Sequence, residues 1–214
     1  MADTDIVPGI FEKEWDALLS KVRLAAPVAH TLHIYVSDGS LGTPETWTEA
    51  SRFKEVAEQF PDVTFEAHIL SANPEKYVRP LADNGFRRII AHVESNDPRR
   101  FLEAAKYDDV EVGIAIDGAT EVEQIEPFLE EIDVAVVMTA EAGVIGGTFL
   151  PEAIEKIKLI HQNFPDLPIE AVGGITDRSV KAVKDAGAAR VVASQYIFAS
   201  GNSVEDAIAE LERV

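Results

Sequence analysis

Short apolar, β-branched runs alternate along the whole chain with longer stretches in which apolar residues recur every third or fourth position. The short runs fall at residues 5–10, 29–36, 64–70, 87–92, 110–116, 134–139, 169–172 and 190–193, and read as strands buried on both faces. After each comes a stretch of helical spacing, at residues 12–24, 46–60, 74–84, 98–106, 121–130, 151–163, 177–186 and 203–213. The punctuation agrees with this. Pro98 and Pro151 stand where a first-turn proline is tolerated, Thr176 or Asp177 is placed to cap the segment that follows, and Gly85 and Gly187 each come where a helix ends. Eight βα units without a linker or composition shift predict an α/β fold, a single-domain (β/α)8 TIM barrel over residues 1–214. A doubly wound open sheet is the alternative, but it carries a glycine-rich turn after its first strand, where this chain has Gly9-Ile10-Phe11-Glu12.

Composition narrows the chemistry. No cysteine is present, which removes disulfides, thiolate metal sites and cysteine nucleophiles together. The 38 acidic against 19 basic residues give a net charge of −19, spread evenly, so binding to nucleic acid, which depends on clustered Lys and Arg, is not expected. The same charge works against steering an anionic ligand, so any anion site needs a local amide-rich pocket. The apolar runs are far shorter than the ~20 residues that cross a bilayer, and the acidic first twenty residues do not read as a signal peptide. The expectation is a cytoplasmic protein with no membrane partner.

In such a barrel the active site lies at the carboxyl ends of the strands. Alternation puts His33, Tyr35 and Ser37 on one face of the second strand, and Glu66, His68 and Leu70 on one face of the third. Two histidines at matched depth on adjacent strands are candidates to meet one small ligand or metal. The loop after the sixth strand holds Gly143, Gly146 and Gly147, and the seventh strand runs into Gly173-Gly174. Glycine pairs before helices present bare backbone N–H groups, which suit phosphate. Asp38, before Gly39, and Asp117, before Gly118, read as turn residues, and His30 and His161 as surface or packing residues.

Taken together these segments resemble the ribulose-phosphate 3-epimerases, metal-dependent members of the ribulose-phosphate-binding barrels. The resemblance runs through Ile6-Val7-Pro8-Gly9-Ile10, Leu32-His33-Ile34-Tyr35-Val36-Ser37-Asp38-Gly39, Ala67-His68-Ile69-Leu70 and His92-Val93-Glu94. It continues through Val136-Val137-Met138, Glu170-Ala171-Val172-Gly173-Gly174-Ile175 and Val192-Ala193-Ser194-Gln195-Tyr196-Ile197-Phe198. It implies a TIM barrel acting on a phosphorylated sugar, with self-association into a homo-oligomer. It also implies a divalent metal (zinc, iron or manganese) held by two histidines and two aspartates, the aspartates serving as the acid and base that move the C3 proton.

His33 and His68 match the two histidines, but Tyr35 and Val172 stand at the two aspartate positions. No tight metal is therefore expected, with His33 and His68 as remnant ligands. The pocket differs as well: Gly9 replaces a serine, Ser37 and Leu70 replace methionines, and Met138 is retained. At the phosphate end Gly146, Gly173 and Gly174 match, Ile145 and Gly147 replace a glycine and a glutamine, and Ser194-Gln195 replaces Gly-Ser. Related decarboxylases carry an Asp-x-Lys-x-x-Asp array on the second strand, and the segment from His33 to Asp38 has no lysine.

The expected function is a barrel of this family that binds a phosphorylated sugar or related anion without the two-carboxylate epimerisation, with Tyr35, His33 and His68 as residues that would carry any remaining catalysis. One alternative is an active isomerase using Tyr35, His33, His68, Glu94 or Glu141 as substitutes. The other is a structural or regulatory barrel acting through a protein partner.

Overall fold

A computed structural model of the chain describes residues 4–106, 110–144 and 146–214; Ile145, named above at the phosphate end, lies outside them. Eight parallel strands form, β1 (Asp5–Ile10), β2 (Thr31–Ser37), β3 (Thr64–Leu70), β4 (Phe86–His92), β5 (Glu111–Ile116), β6 (Val134–Met138), β7 (Ile169–Val172) and β8 (Arg190–Ala193). They pair in chain order and close into a barrel, with Asp5 to Pro8 of β1 registered against Arg190 to Ala193 of β8. Burial on both faces explains why these runs are largely apolar, with buried polar exceptions on β2, β3, β4 and β7. One set of side chains, including Ile34, Ile69, Ala91 and Ile114, packs outward against the helices. The alternate set, including Val7, Tyr35, Leu70, Ile90, Val136, Met138, Val172 and Val192, fills the barrel interior.

The outer layer consists of α1 (Trp15–Ala25), α2 (Lys54–Gln59), α3 (Glu75–Ala82), α4 (Pro98–Ala105), α5 (Ala153–Asn163), α6 (Val180–Ala186), α7 (Gln195–Ala199) and α8 (Val204–Arg213). Two expected helices are corrected. The segment 46–60 is helical only in α2 and the 3₁₀ turn Ala50–Phe53 before it. Its first residues bond elsewhere instead: Thr46 N–H donates to the carbonyl of Ser37 at the end of β2 at 3.0 Å, and Trp47 N–H to that of Glu12 in the loop after β1 at 2.9 Å. The segment 121–130 forms two 3₁₀ turns, Val122–Gln124 and Glu126–Phe128. Pro127 has no N–H to give the carbonyl four residues back, which removes a bond that an α-helix there would need. The punctuation residues behave as physical chemistry requires elsewhere. Pro98 opens α4 behind Asp97, whose side chain accepts from Arg100 N–H, and Gly187 ends α6 with φ 109°.

Candidate functional site

Period two in the strands sends Glu66 and His68 of β3, Arg88 and His92 of β4, Glu170 of β7 and Arg190 of β8 inward with His33 and Tyr35 of β2. Deep in the barrel these form an ionic layer. Arg88 bridges Glu66 and Glu111, with Nε donating to Glu111 Oε2 at 2.7 Å, and Arg190 Nε donates to Glu170 Oε2 at 3.0 Å. His33 lies between the two buried glutamates, its Nδ1 2.7 Å from Glu66 Oε1 and 3.3 Å from Glu170 Oε1. Burial opposes charge on His33, but its hydrogen bonds to Glu170 and Glu66 outweigh that and raise it to about 9. Glu66, despite burial, is held below the usual carboxylate range by His33 and the nearby arginines, whereas burial and the charge of Glu66 push Glu170 up.

With His33 protonated, both of its ring nitrogens donate, and the bonding of the next rings follows from the donor inventory. His33 Nε2–H donates to His68 Nδ1 at 3.0 Å, His68 Nε2–H to His92 Nε2 at 2.9 Å, and His92 Nδ1–H to Glu94 Oε2 at 2.9 Å. Burial, followed by the neighbouring His92 and His33, drives His68 well below the ordinary histidine value, so it is the neutral link. Glu94 terminates the chain as a carboxylate. Burial opposes its charge, but His92, Thr120 and the Asp117 N–H hold it at about 2. Every ring nitrogen of His33 and His68 thus has a protein partner.

Tyr35 covers this histidine row. Its ring stacks on His68 with centroids 5.4 Å apart and meets His33 edge-on at 4.7 Å. Burial and the charge of Glu170 push the Tyr35 phenol above its ordinary range, although Ser194 lies within hydrogen-bonding reach and works the other way. Tyr35 therefore stays protonated and cannot accept a proton at neutral pH.

Above Tyr35, at the carboxyl end of the barrel, a cavity of about 110 Å³ opens between the loops after β6, β7 and β8. Tyr35, Met138, Gly146, Gly173, Gly174 and Ser194 line it, with Phe11, Glu141, Val192 and Gln195. His33 and His68 are fully buried below and do not line it, nor does Val172, which is buried in the barrel interior. Leu70 belongs to that same interior cluster. Gly9 sits under the floor, where an added Cβ would stand 2.5 Å from Ser194 Oγ and 3.5 Å from Tyr35 Cε2. Ser37 holds a loop, its hydroxyl 2.8 Å from that of Thr43. Asp38 makes the expected Asx turn, accepting from Ser40 N–H at 3.0 Å.

A metal ion needs free donor atoms. Among the described residues His33, Glu66 and Glu170 offer ligand atoms within 4.8 Å of one another. Both carboxylates are already paired with arginine. Sequence reasoning missed Glu170 as a partner of His33, and Arg88 and Arg190 as partners of the two glutamates that hold it. Their inward phase was readable from alternation, but the strand register that brings them together was not.

Three comparisons bear on this architecture. The model of the ribulose-phosphate 3 epimerase family matches residues 6–198. A ribulose-phosphate 3-epimerase of Schizosaccharomyces pombe is 34% identical over 148 residues, 69% of this chain and 64% of its own length, so the match spans just under two thirds of that relative. A cytoplasmic isoform from Oryza sativa subsp. japonica is 27% identical over 95% of this chain and 91% of its own. Among solved structures, 3-hexulose-6-phosphate synthase superposes with TM-score 0.72 at 16% identity, covering 98% of this chain and 99% of that one. KGPDC from Streptococcus mutans superposes with TM-score 0.75 at 14% identity, covering 99% and 98%. At such identities these structures bear on the fold alone. No helix among the described residues is long and apolar enough to cross a membrane.

Proposed function

The chain belongs to the ribulose-phosphate 3-epimerase family, and from that premise we propose that it binds a phosphorylated sugar or related small anion at the carboxyl end of its barrel without running the metal-dependent, two-carboxylate epimerisation. The observation that carries this reading is the pair Tyr35 and Val172, both buried, where the family resemblance implies the acid and the base. Val172 has no proton to exchange, and Tyr35 is held protonated.

The metal fails on the same residues. Of the ligand set that the resemblance implies, two imidazoles remain, fewer than the three protein ligands usual at a catalytic zinc, and Glu66 and Glu170 beside His33 are engaged by Arg88 and Arg190. An ion between His33 and His68 would also have to break their 3.0 Å hydrogen bond and displace the Tyr35 ring stacked on it. The residues present do not fit the group.

Binding then falls to the walls of the cavity. Gly173 and Gly174 after β7 and Gly146 after β6 line the cavity and are the residues whose backbone N–H groups would serve a phosphate, with Phe11, Tyr35 and Met138 as the apolar lining for the sugar carbons. Glu141 is the carboxylate on the lining, which favours a second reading in which it acts as a substitute base. A single group on one side does not complete an epimerisation, which passes a proton between opposite faces of one carbon.

The test is a coupled epimerase assay with ribulose 5-phosphate, run with Fe²⁺, Mn²⁺, Co²⁺ or Zn²⁺ and again with chelator, beside elemental analysis of the purified protein. The expected result is no turnover in either condition and no stoichiometric metal. Metal-dependent turnover by the native chain overturns the reading, and turnover in chelator points to Glu141. A Tyr35→Asp, Val172→Asp double variant is the positive arm, expected to gain both metal and activity.

A further inference from the structure

Gln195, the first residue of α7, stands beside the glycine loop after β6. An ideal Cβ built on Gly146 would overlap Gln195 Oε1 and lie 2.7 Å from its Cδ and 3.1 Å from its Nε2, so the carboxamide lies flat against the bare Cα of Gly146. Gly146, at φ 69°, leaves open the space that the carboxamide fills. The opposite wall is closed in the same way. A Cβ on Gly174 would meet the backbone of Phe149 at 2.9 Å and the Gly147 carbonyl oxygen at 3.1 Å, so the loop after β6 rests on the loop after β7.

The charge around this closure is adverse to an anion. Among the described residues lining the cavity none is a lysine or arginine, and Glu141 is one of them. The Gln195 carboxamide adds an oxygen, the negative end of its dipole, directed at the glycine backbone. Gln195 is nevertheless free to leave. It is exposed, and among the described residues its carboxamide takes part in no hydrogen bond, so only packing holds it in place.

We propose that Gln195 is a gate on the anion end of this site: a phosphate group enters only when the carboxamide swings off Gly146, and the residue thereby sets the preference between phosphorylated and unphosphorylated ligands. This rests on the reading of the site as one for a phosphorylated sugar. Moving one side chain and immobilising it elsewhere lowers affinity by roughly 3- to 10-fold, the equivalent of about 0.5–1.5 kcal/mol.

The experiment is calorimetric titration of the native chain and of Gln195→Ala with ribulose 5-phosphate, inorganic phosphate and unphosphorylated ribulose. Alanine retains the helix start and removes only the carboxamide. The gate predicts roughly 3- to 10-fold tighter binding of both phosphate-bearing probes by Gln195→Ala, with ribulose unchanged. Gln195→Glu, which places a carboxylate at the same point, is expected to weaken both phosphate probes and leave ribulose unchanged. Phosphate probes that bind native protein and Gln195→Ala equally leave the phosphosugar reading standing and overturn the gate. Weaker binding by Gln195→Ala also overturns it, by making Gln195 a ligand to the phosphate. Phosphate probes that bind neither protein overturn the phosphosugar reading and the gate with it.

Discussion

One imidazole held between two buried carboxylates makes His33 the residue through which pH reaches the barrel interior. It titrates near 6.5 when unfolded and at about 9 in the folded chain, so the folded state binds the proton more tightly. That contribution is fully present below about pH 6.5 and is lost as pH rises through about 9. We expect stability from urea unfolding to fall by a few kcal/mol between about pH 6.5 and 9.5, and His33→Gln to flatten that slope. At this scale the sequence was partly legible. Alternation placed His33 and Tyr35 of β2 on one face and Glu66 and His68 of β3 on another, and that Tyr35 and Val172 stand where the family resemblance implies aspartates was plain from the residues. That Tyr35 would cover the histidines and seal them from the cavity was not. Ring packing depends on which strands adjoin and in what register, and pairing Tyr35 with His68 is a property of the closed sheet.

Among the elements, the strands were the most legible and the turns the least. A strand buried on both faces is mostly apolar, a pattern that stays readable here despite the buried His33, Glu66, His68, Arg88, His92 and Glu170. A helix on the barrel's outside is negotiable: residues 46–47 found partners at the end of β2 and in the loop after β1, and Pro127 broke the pattern that residues 121–130 otherwise carry. The loops after β6 and β7 show how glycine acts at this scale. Gly174 has φ 65°, and its Cβ position is filled by Phe149 backbone, whereas Gly42 has φ 77° and nothing within 4 Å. Gly42→Ala is expected to cost about 1–2 kcal/mol for the left-handed backbone alone. Gly174→Ala should cost clearly more, since it must also push the loop after β6 away, and urea unfolding of the two variants side by side measures the difference. Equal losses would mean that the two loops are not packed as described.

Across the whole molecule the net charge of −19 acts on every equilibrium. Like charges on a folded surface repel, and salt screens them, the Debye length falling from about 10 Å at 0.1 M to about 3 Å at 1 M. Raising NaCl across that range is expected to raise the melting temperature and, for the same reason, to tighten rather than weaken the binding of ribulose 5-phosphate. A loss of affinity with salt would instead reveal a cationic site, which the cavity lining does not contain.

By itself the sequence determined the barrel, because eight buried, β-branched runs separated by amphipathic segments have few other ways to bury their faces. It also determined that Tyr35 and Val172 stand where the family resemblance implies aspartates, since that is a matter of residue identity. The tertiary structure alone decided that His33 is clamped by Glu66 and Glu170, that the histidines face each other and not the cavity, and that Gln195 lies on Gly146. These are contacts between residues far apart in the chain, set by strand register and loop closure, and no local pattern encodes them.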